Sequence, residues 1–131
     1  MNLFLKYKMT KKTVMVIDDD EVILKLLNDL LTNEGYEVIT ALSGEEGIEK
    51  LKENKPDILL LDFFMPGMTG GEVLRRIRED NQLKDLKIVF LTAASSSSTS
   101  IRLLEKMNIS DYIKKPFENK VLIEKIKKQI V

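Results

Sequence analysis

The stretch Val14-Met15-Val16-Ile17-Asp18-Asp19-Asp20-Glu21 decides how the chain is read. Four apolar residues with no polar interruption break directly into four acidic ones. Such a run lacks the in-and-out alternation of a strand with one wet face, so it suits a strand covered on both sides, as in a parallel sheet flanked by helices. Two further runs share the form: Ile58-Leu59-Leu60-Leu61 ends in Asp62, and Ile88-Val89-Phe90-Leu91 ends in Thr92-Ala93. Tyr36-Glu37-Val38-Ile39-Thr40 is more mixed and reads as a strand nearer an edge. Tyr112-Ile113 is the shortest candidate and runs into Lys114-Lys115-Pro116.

Amphipathic segments separate these runs. Val22, Ile23, Leu26, Leu27, Leu30 and Leu31 recur at helical spacing, and Gly35 follows as a helix stop. Ser43 with Glu46 forms a capping box ahead of Ile48 and Leu51, in a helix that Pro56 closes off. Thr69 with Glu72 repeats the device ahead of Val73, Leu74 and Ile77. Ile101, Leu103, Leu104 and Met107 suggest a fourth helix, and Val121, Leu122, Ile126 and Ile130 a fifth. Strand and helix repeated five times predict a doubly wound α/β sandwich, a (βα)5 arrangement with a five-stranded parallel sheet and helices on both faces. Ligand sites in such sheets lie beyond the carboxyl ends of the strands.

Composition narrows the chemistry available there. At 131 residues the chain has the size of one domain. Lys+Arg and Asp+Glu are both 21, and zero net charge argues against a protein that works directly on nucleic acid or on an anionic membrane surface. Cysteine and histidine are absent, which excludes disulfides, thiolate zinc sites, cysteine nucleophiles and Ser-His triads. Carboxylates, hydroxyls, lysines and oxygen-loving cations remain. The opening residues Met1 to Lys8 hold too short an apolar run for a secretory signal, and no stretch approaches the roughly 20 apolar residues of a membrane span, so the expected location is cytoplasmic. Residues 1–11 read as a flexible extension, with Met9 an alternative start, and 12–131 as the domain.

Strand ends bearing Asp18, Asp19, Asp20 and Glu21, then Asp62, then Thr92, then Lys114 and Lys115, would converge in one crevice. Crowded carboxylates repel, and one is driven to keep its proton unless a cation is present. A hard divalent cation with oxygen ligands relieves this, and Mg²⁺ suits a site with few carboxylates. The natural partner of a neighbouring lysine is a phosphoryl group, so the set is the apparatus for forming an acyl phosphate on aspartate. Asp20 itself reads as a helix N-cap.

The segments Val16-Ile17-Asp18-Asp19-Asp20-Glu21, Leu59-Leu60-Leu61-Asp62-Phe63-Phe64-Met65-Pro66-Gly67-Met68-Thr69-Gly70, Val89-Phe90-Leu91-Thr92-Ala93 and Asp111-Tyr112-Ile113-Lys114-Lys115-Pro116-Phe117 resemble the receiver domain of two-component response regulators, from about Lys12 onward. The resemblance implies a flavodoxin-like, CheY-like fold with strand order 2-1-3-4-5. It implies that Asp62 is the phosphoacceptor, that Asp19 binds Mg²⁺ directly, and that Asp18 holds it through water. The backbone carbonyl of Phe64 would be the third protein ligand. Lys115 would contact the phosphoryl group, and Thr92 would swing toward it. Ala93 would leave room for the donor, and Tyr112 would turn inward when Thr92 moves. The Lys115–Pro116 bond is expected to be cis.

Expected partners are a sensor histidine kinase or histidine phosphotransfer protein upstream and a protein target or output domain downstream. The resemblance implies a signalling domain that assists its own phosphorylation and dephosphorylation, not a conventional enzyme. Its switching surface would be the face formed by the fourth helix, the fifth strand and the last helix. The competing reading is a phosphate-independent interaction module of the same fold. A flavin carrier is disfavoured because four acidic residues after the first strand would repel a flavin phosphate. Two departures from the family pattern stand out: Phe64 and Ala94 offer no polar atom to orient a hydrolytic water. Residues 95–100, serine and threonine throughout, and the lack of Gly-Ala before the last strand make the backbone there unusual.

Overall fold

The computed structural model describes residues 11–93, 102 and 106–130. Among these lie β1 (Thr13–Ile17), α1 (Glu21–Asn33), β2 (Glu37–Ala41), α2 (Gly44–Glu53), β3 (Ile58–Asp62), α3 (Gly70–Glu79), β4 (Lys87–Ala93), β5 (Asp111–Lys115) and α4 (Asn119–Gln129). The expected helix through Ile101, Leu103 and Leu104, the 95–100 run, Ala94 and residues 1–10 of the extension lie outside the described residues.

All five strands pair in parallel in the order β2-β1-β3-β4-β5. The uninterrupted apolar runs take the central positions. Every residue of β3 is buried, as are Val14 to Ile17 of β1 and Ile88 to Leu91 of β4. The mixed segment β2 is an edge strand, and β5 forms the other edge. Alternate residues feed two cores. Met15, Ile17, Leu59, Leu61, Ile88 and Phe90 pack with α2 and α3, while Val14, Val16, Leu60, Val89 and Leu91 pack with α1 and α4. Truncating a wholly buried side chain such as Leu60 to alanine costs about 2–5 kcal/mol.

Local signals set the helix ends. The Asp20 side chain accepts hydrogen bonds from the Val22 and Ile23 amides (2.9 and 3.4 Å), so it is the N-cap of α1. Past its last turn Gly35 takes φ +96°, a conformation that a side chain disfavours. Ser43 Oγ accepts from Glu46 N at 3.1 Å, and the Glu46 carboxylate reaches back to the Leu42 amide at 3.1 Å rather than to the cap residue's own amide. Thr69 Oγ1 accepts from Glu72 N at 3.2 Å.

Two expectations need correction. The buried stripe of α1 is Leu24, Leu27 and Leu31, whereas Val22 is 75% exposed and Leu26 39% exposed. The last strand spans Asp111–Lys115 rather than two residues, because an edge strand alternates and so tolerates polar side chains. Before it, Asn108 takes the left-handed conformation (φ 57°) that glycine would otherwise supply. The Arg78 guanidinium donates to the carbonyls of Asn108, Lys84 and Leu86, tying this turn to the loop between α3 and β4.

Candidate functional site

β1 and β3 are neighbours, so their carboxyl ends deliver Asp18, Asp19 and Asp62 to one place. One carboxylate oxygen from each lies within 4.8 Å of the other two. Asp18 is fully buried and Asp62 is 5% exposed, while Asp19 faces solvent. Both Asp18 oxygens are engaged: Oδ1 accepts from the Asp20 amide at 2.9 Å and Oδ2 from the Lys115 ammonium at 2.6 Å. The same ammonium stands 3.5 Å from Asp62 Oδ1. Lys115 arrives from the end of β5, just before a cis Lys115–Pro116 bond, while its neighbour Lys114 is exposed.

These distances govern the electrostatics. Burial, then the charge of Asp18, pushes the Asp62 carboxyl up to about 7; Lys115 opposes the shift and Asp19 adds to it. For Lys115, burial disfavours the ammonium. Its hydrogen bond to Asp18 and the charges of Asp18 and Asp62 outweigh that, so its pKa ends above the ordinary lysine value. The crevice therefore holds more negative charge than one lysine neutralises. Three hard oxygen donors and a part-open face match a cation of the Mg²⁺ kind, which binds through few carboxylates and keeps waters.

The remaining expected residues surround this cluster. In β4, Leu91 is in register with Asp62, and Thr92 follows it, buried, its hydroxyl without a hydrogen-bond partner among the described residues. Ala93 is half-buried in register with Lys115. Phe64 is 55% exposed, and its ring packs edge-on against Phe63 at 4.8 Å. Tyr112 is half-buried in register with Phe90, two residues before the partner of Thr92.

The family described as the response regulator receiver domain matches residues 14–127. This chain belongs to that family. A transcriptional regulatory protein from Streptomyces coelicolor, AfsQ1, is 39% identical over 115 residues, which is 88% of this chain and 49% of that regulator. The chain thus spans about half the length of that relative, and 7% of a hybrid signal transduction histidine kinase from Dictyostelium discoideum. The receiver domain protein (CheY-like) of Methanospirillum hungatei is 36% identical, with a TM-score of 0.79 over 90% of this chain and 93% of that one. The chemotaxis protein CheY4 of Vibrio cholerae is 26% identical, with a TM-score of 0.85 over 93% and 100%. The protein is therefore a receiver of two-component signalling with the 2-1-3-4-5 sheet of a CheY-like flavodoxin fold. Among the described residues, no helix is long and apolar enough to cross a membrane.

Two contacts made by residues near the expected site positions were not visible in the sequence. At Gly70 a Cβ would fall 2.4 Å from the carbonyl oxygen of Asp62, so only glycine lets α3 begin there. Its place after Met-Thr in the third-strand motif was visible, but the backbone contact was not. Lys125 on α4 lies 5.4 Å from the centre of the Tyr112 ring and donates to the Tyr112 carbonyl at 2.9 Å. Its exposed-helix spacing gave no hint of this.

Proposed function

We propose that the domain, read as 12–131, is a phosphorylatable switch whose acceptor is Asp62. The observation that carries this reading is the meeting of three carboxylates within 4.8 Å beside the Lys115 ammonium. Asp62 attacks the phosphorus of a phosphohistidine on a sensor histidine kinase or histidine phosphotransfer protein. A P–O bond forms, the P–N bond breaks, and the electron pair returns to the imidazole nitrogen, which takes up a proton. Asp19, Asp62 and the Phe64 backbone carbonyl would hold Mg²⁺ directly. Asp18, whose oxygens already serve Lys115 and the Asp20 amide, would reach it through water. When bound, Mg²⁺ offsets charge on the transferring group.

The chain's own residues supply the rest. Lys115 is placed to shift from the carboxylates toward the added phosphoryl oxygens, a charge-assisted contact. The buried Thr92 hydroxyl, without a partner among the described residues, would bond such an oxygen, Ala93 would leave space for the donor, and Tyr112 would move with Thr92. Altered packing around the fourth helix pattern, β5 and α4 then recruits a cytoplasmic protein target or directs an output domain.

Incubation with acetyl phosphate and Mg²⁺, followed by intact mass, tests this. The expected result is one hydroxylamine-labile phosphoryl group per chain. No covalent phosphate, together with no response to beryllofluoride and Mg²⁺, would leave the phosphate-independent module as the correct reading.

A further inference from the structure

One lysine touches the candidate switch aromatic in more ways than packing requires. The Lys125 ammonium donates to the Tyr112 carbonyl at 2.9 Å, pairs with Asp111 Oδ1 at 3.3 Å, and lies 5.4 Å from the Tyr112 ring centre. Asp111 Oδ1 also accepts the Tyr112 amide at 2.7 Å, so carboxylate, amide, carbonyl and ammonium form a closed knot at the start of β5. The Lys125 side chain is 34% exposed, which leaves the ammonium partly desolvated. A cation within about 6 Å of an aromatic face is attracted to it, more strongly as water is removed.

The knot has a directional consequence. Two of the three contacts of Lys125 are to β5 groups that stay put when a side chain rotates: a backbone carbonyl and the carboxylate that the Tyr112 amide anchors. The ammonium is thereby pinned. A Tyr112 ring that turns toward Thr92 leaves the cation behind, instead of carrying the flexible lysine along. We infer that Lys125 is a positioning residue that holds the Tyr112 ring in its resting orientation and so sets how much of the receiver is active before and after phosphorylation. This rests on the proposed Thr92–Tyr112 switch and adds the element that opposes it.

The test titrates beryllofluoride into the intact chain with saturating Mg²⁺, following the Tyr112 ring resonances and the cross-peaks of β4 and β5 by NMR. Lys125→Met keeps the apolar stem and removes the cation. It should shift the Tyr112 ring signals of the unligated protein toward their beryllofluoride-bound positions and lower the midpoint about two- to fivefold, the factor that a contact of this kind supplies. Lys125→Arg keeps a cation and should stay near wild type. In a Tyr112→Leu background, Lys125→Met should no longer move the midpoint. An unchanged midpoint for Lys125→Met, or an arginine variant that behaves like the methionine one, overturns the inference while leaving the switch in place. A wild type whose β4 and β5 signals ignore beryllofluoride overturns the receiver chemistry itself. Melting curves of each variant separate loss of fold from loss of the hold on the ring.

Discussion

Glu46 at the corner between β2 and α2, and Asp62 in the crevice, each have a lysine within reach, yet their acidities move in opposite directions. Glu46 lies 3.0 Å from the Lys50 ammonium and accepts the Leu42 amide; its hydrogen bond to Lys50, then that amide, hold its carboxyl below the ordinary value. Asp62 lies 3.5 Å from Lys115, but it is buried and shares that lysine with Asp18. One carboxylate is satisfied and serves structure, because Lys50 also reaches the Thr40 carbonyl and closes the corner. The other is left in excess. An unneutralised acid inside a fold is destabilising unless something binds there, so the contrast separates scaffold from site.

The comparison breaks first if the two carboxylates can be exchanged. Asp62→Asn should abolish incorporation of phosphate from acetyl phosphate entirely, since an amide is isosteric but not nucleophilic, while Glu46→Gln should leave the yield intact. Intact mass decides it, and phosphate on the Asp62→Asn protein would rule out Asp62 as the acceptor.

The next largest effect concerns persistence. The Phe64 side chain carries no polar atom, and its ring packs edge-on against Phe63. Phe64→Asn should therefore speed loss of the phosphoryl group by roughly tenfold, the factor given by one oriented hydrogen bond of about 1.4 kcal/mol in the transition state. The measurement is decay of the phosphoprotein with Mg²⁺ and no partner; equal rates would count against a role for this position.

Acidity sharpens the contrast further. With Asp62 raised to about 7 from its ordinary 3.8, the folded protein between these values holds a proton that the unfolded chain has released. Its contribution to stability is therefore present in acid and lost as pH rises toward 7. Glu46 has the reverse sign: its contribution is present above the ordinary value of 4.5 and is lost as pH falls below it. The metal-free melting temperature should thus decline from about pH 5 to about pH 7, and Mg²⁺ should flatten that decline by drawing Asp62 back toward ionisation. Asp19→Asn should raise metal-free stability near neutrality and remove the Mg²⁺ response. A Mg²⁺ response that survives Asp19→Asn would mean the cation is held elsewhere.

The smallest expected change lies on the scaffold side. Ser43→Ala removes the cap of α2 and should cost about 1 kcal/mol in denaturant unfolding, with no change in phosphate yield. A loss of phosphorylation from that substitution would show that the corner is not mere scaffold.

Legibility followed burial. β1, β3 and β4 were readable because strands covered on both faces leave continuous apolar runs, and an acidic or hydroxyl residue at the end of each marked the crevice. α1 was legible as a helix but not in its buried stripe, because its apolar residues spread over a broad arc and spacing alone could not choose Leu24 over Val22. β5 was legible only at Tyr112 and Ile113, since its outer positions are polar. Which of Lys114 and Lys115 turns inward came from the family motif, not from any property of the two side chains. The Asp111–Lys125–Tyr112 knot is a matter of tertiary reach, and the reach of Arg78 to three carbonyls is another.

Gly70 carries a mechanical consequence. Its amide donates to the Phe63 carbonyl at 3.1 Å, and its α-carbon faces the Asp62 carbonyl with no room for a methyl group. On this side the peptide after Asp62 meets main chain, which has no rotamers with which to yield. Along the sheet its amide donates to the Leu91 carbonyl of β4 at 3.0 Å, and the next residue, Thr92, can turn about its own χ1. If Asp62 is phosphorylated as proposed, the displacement would meet an anvil in α3 and a hinge in Thr92, and the stiffness of the first would direct the movement into the second.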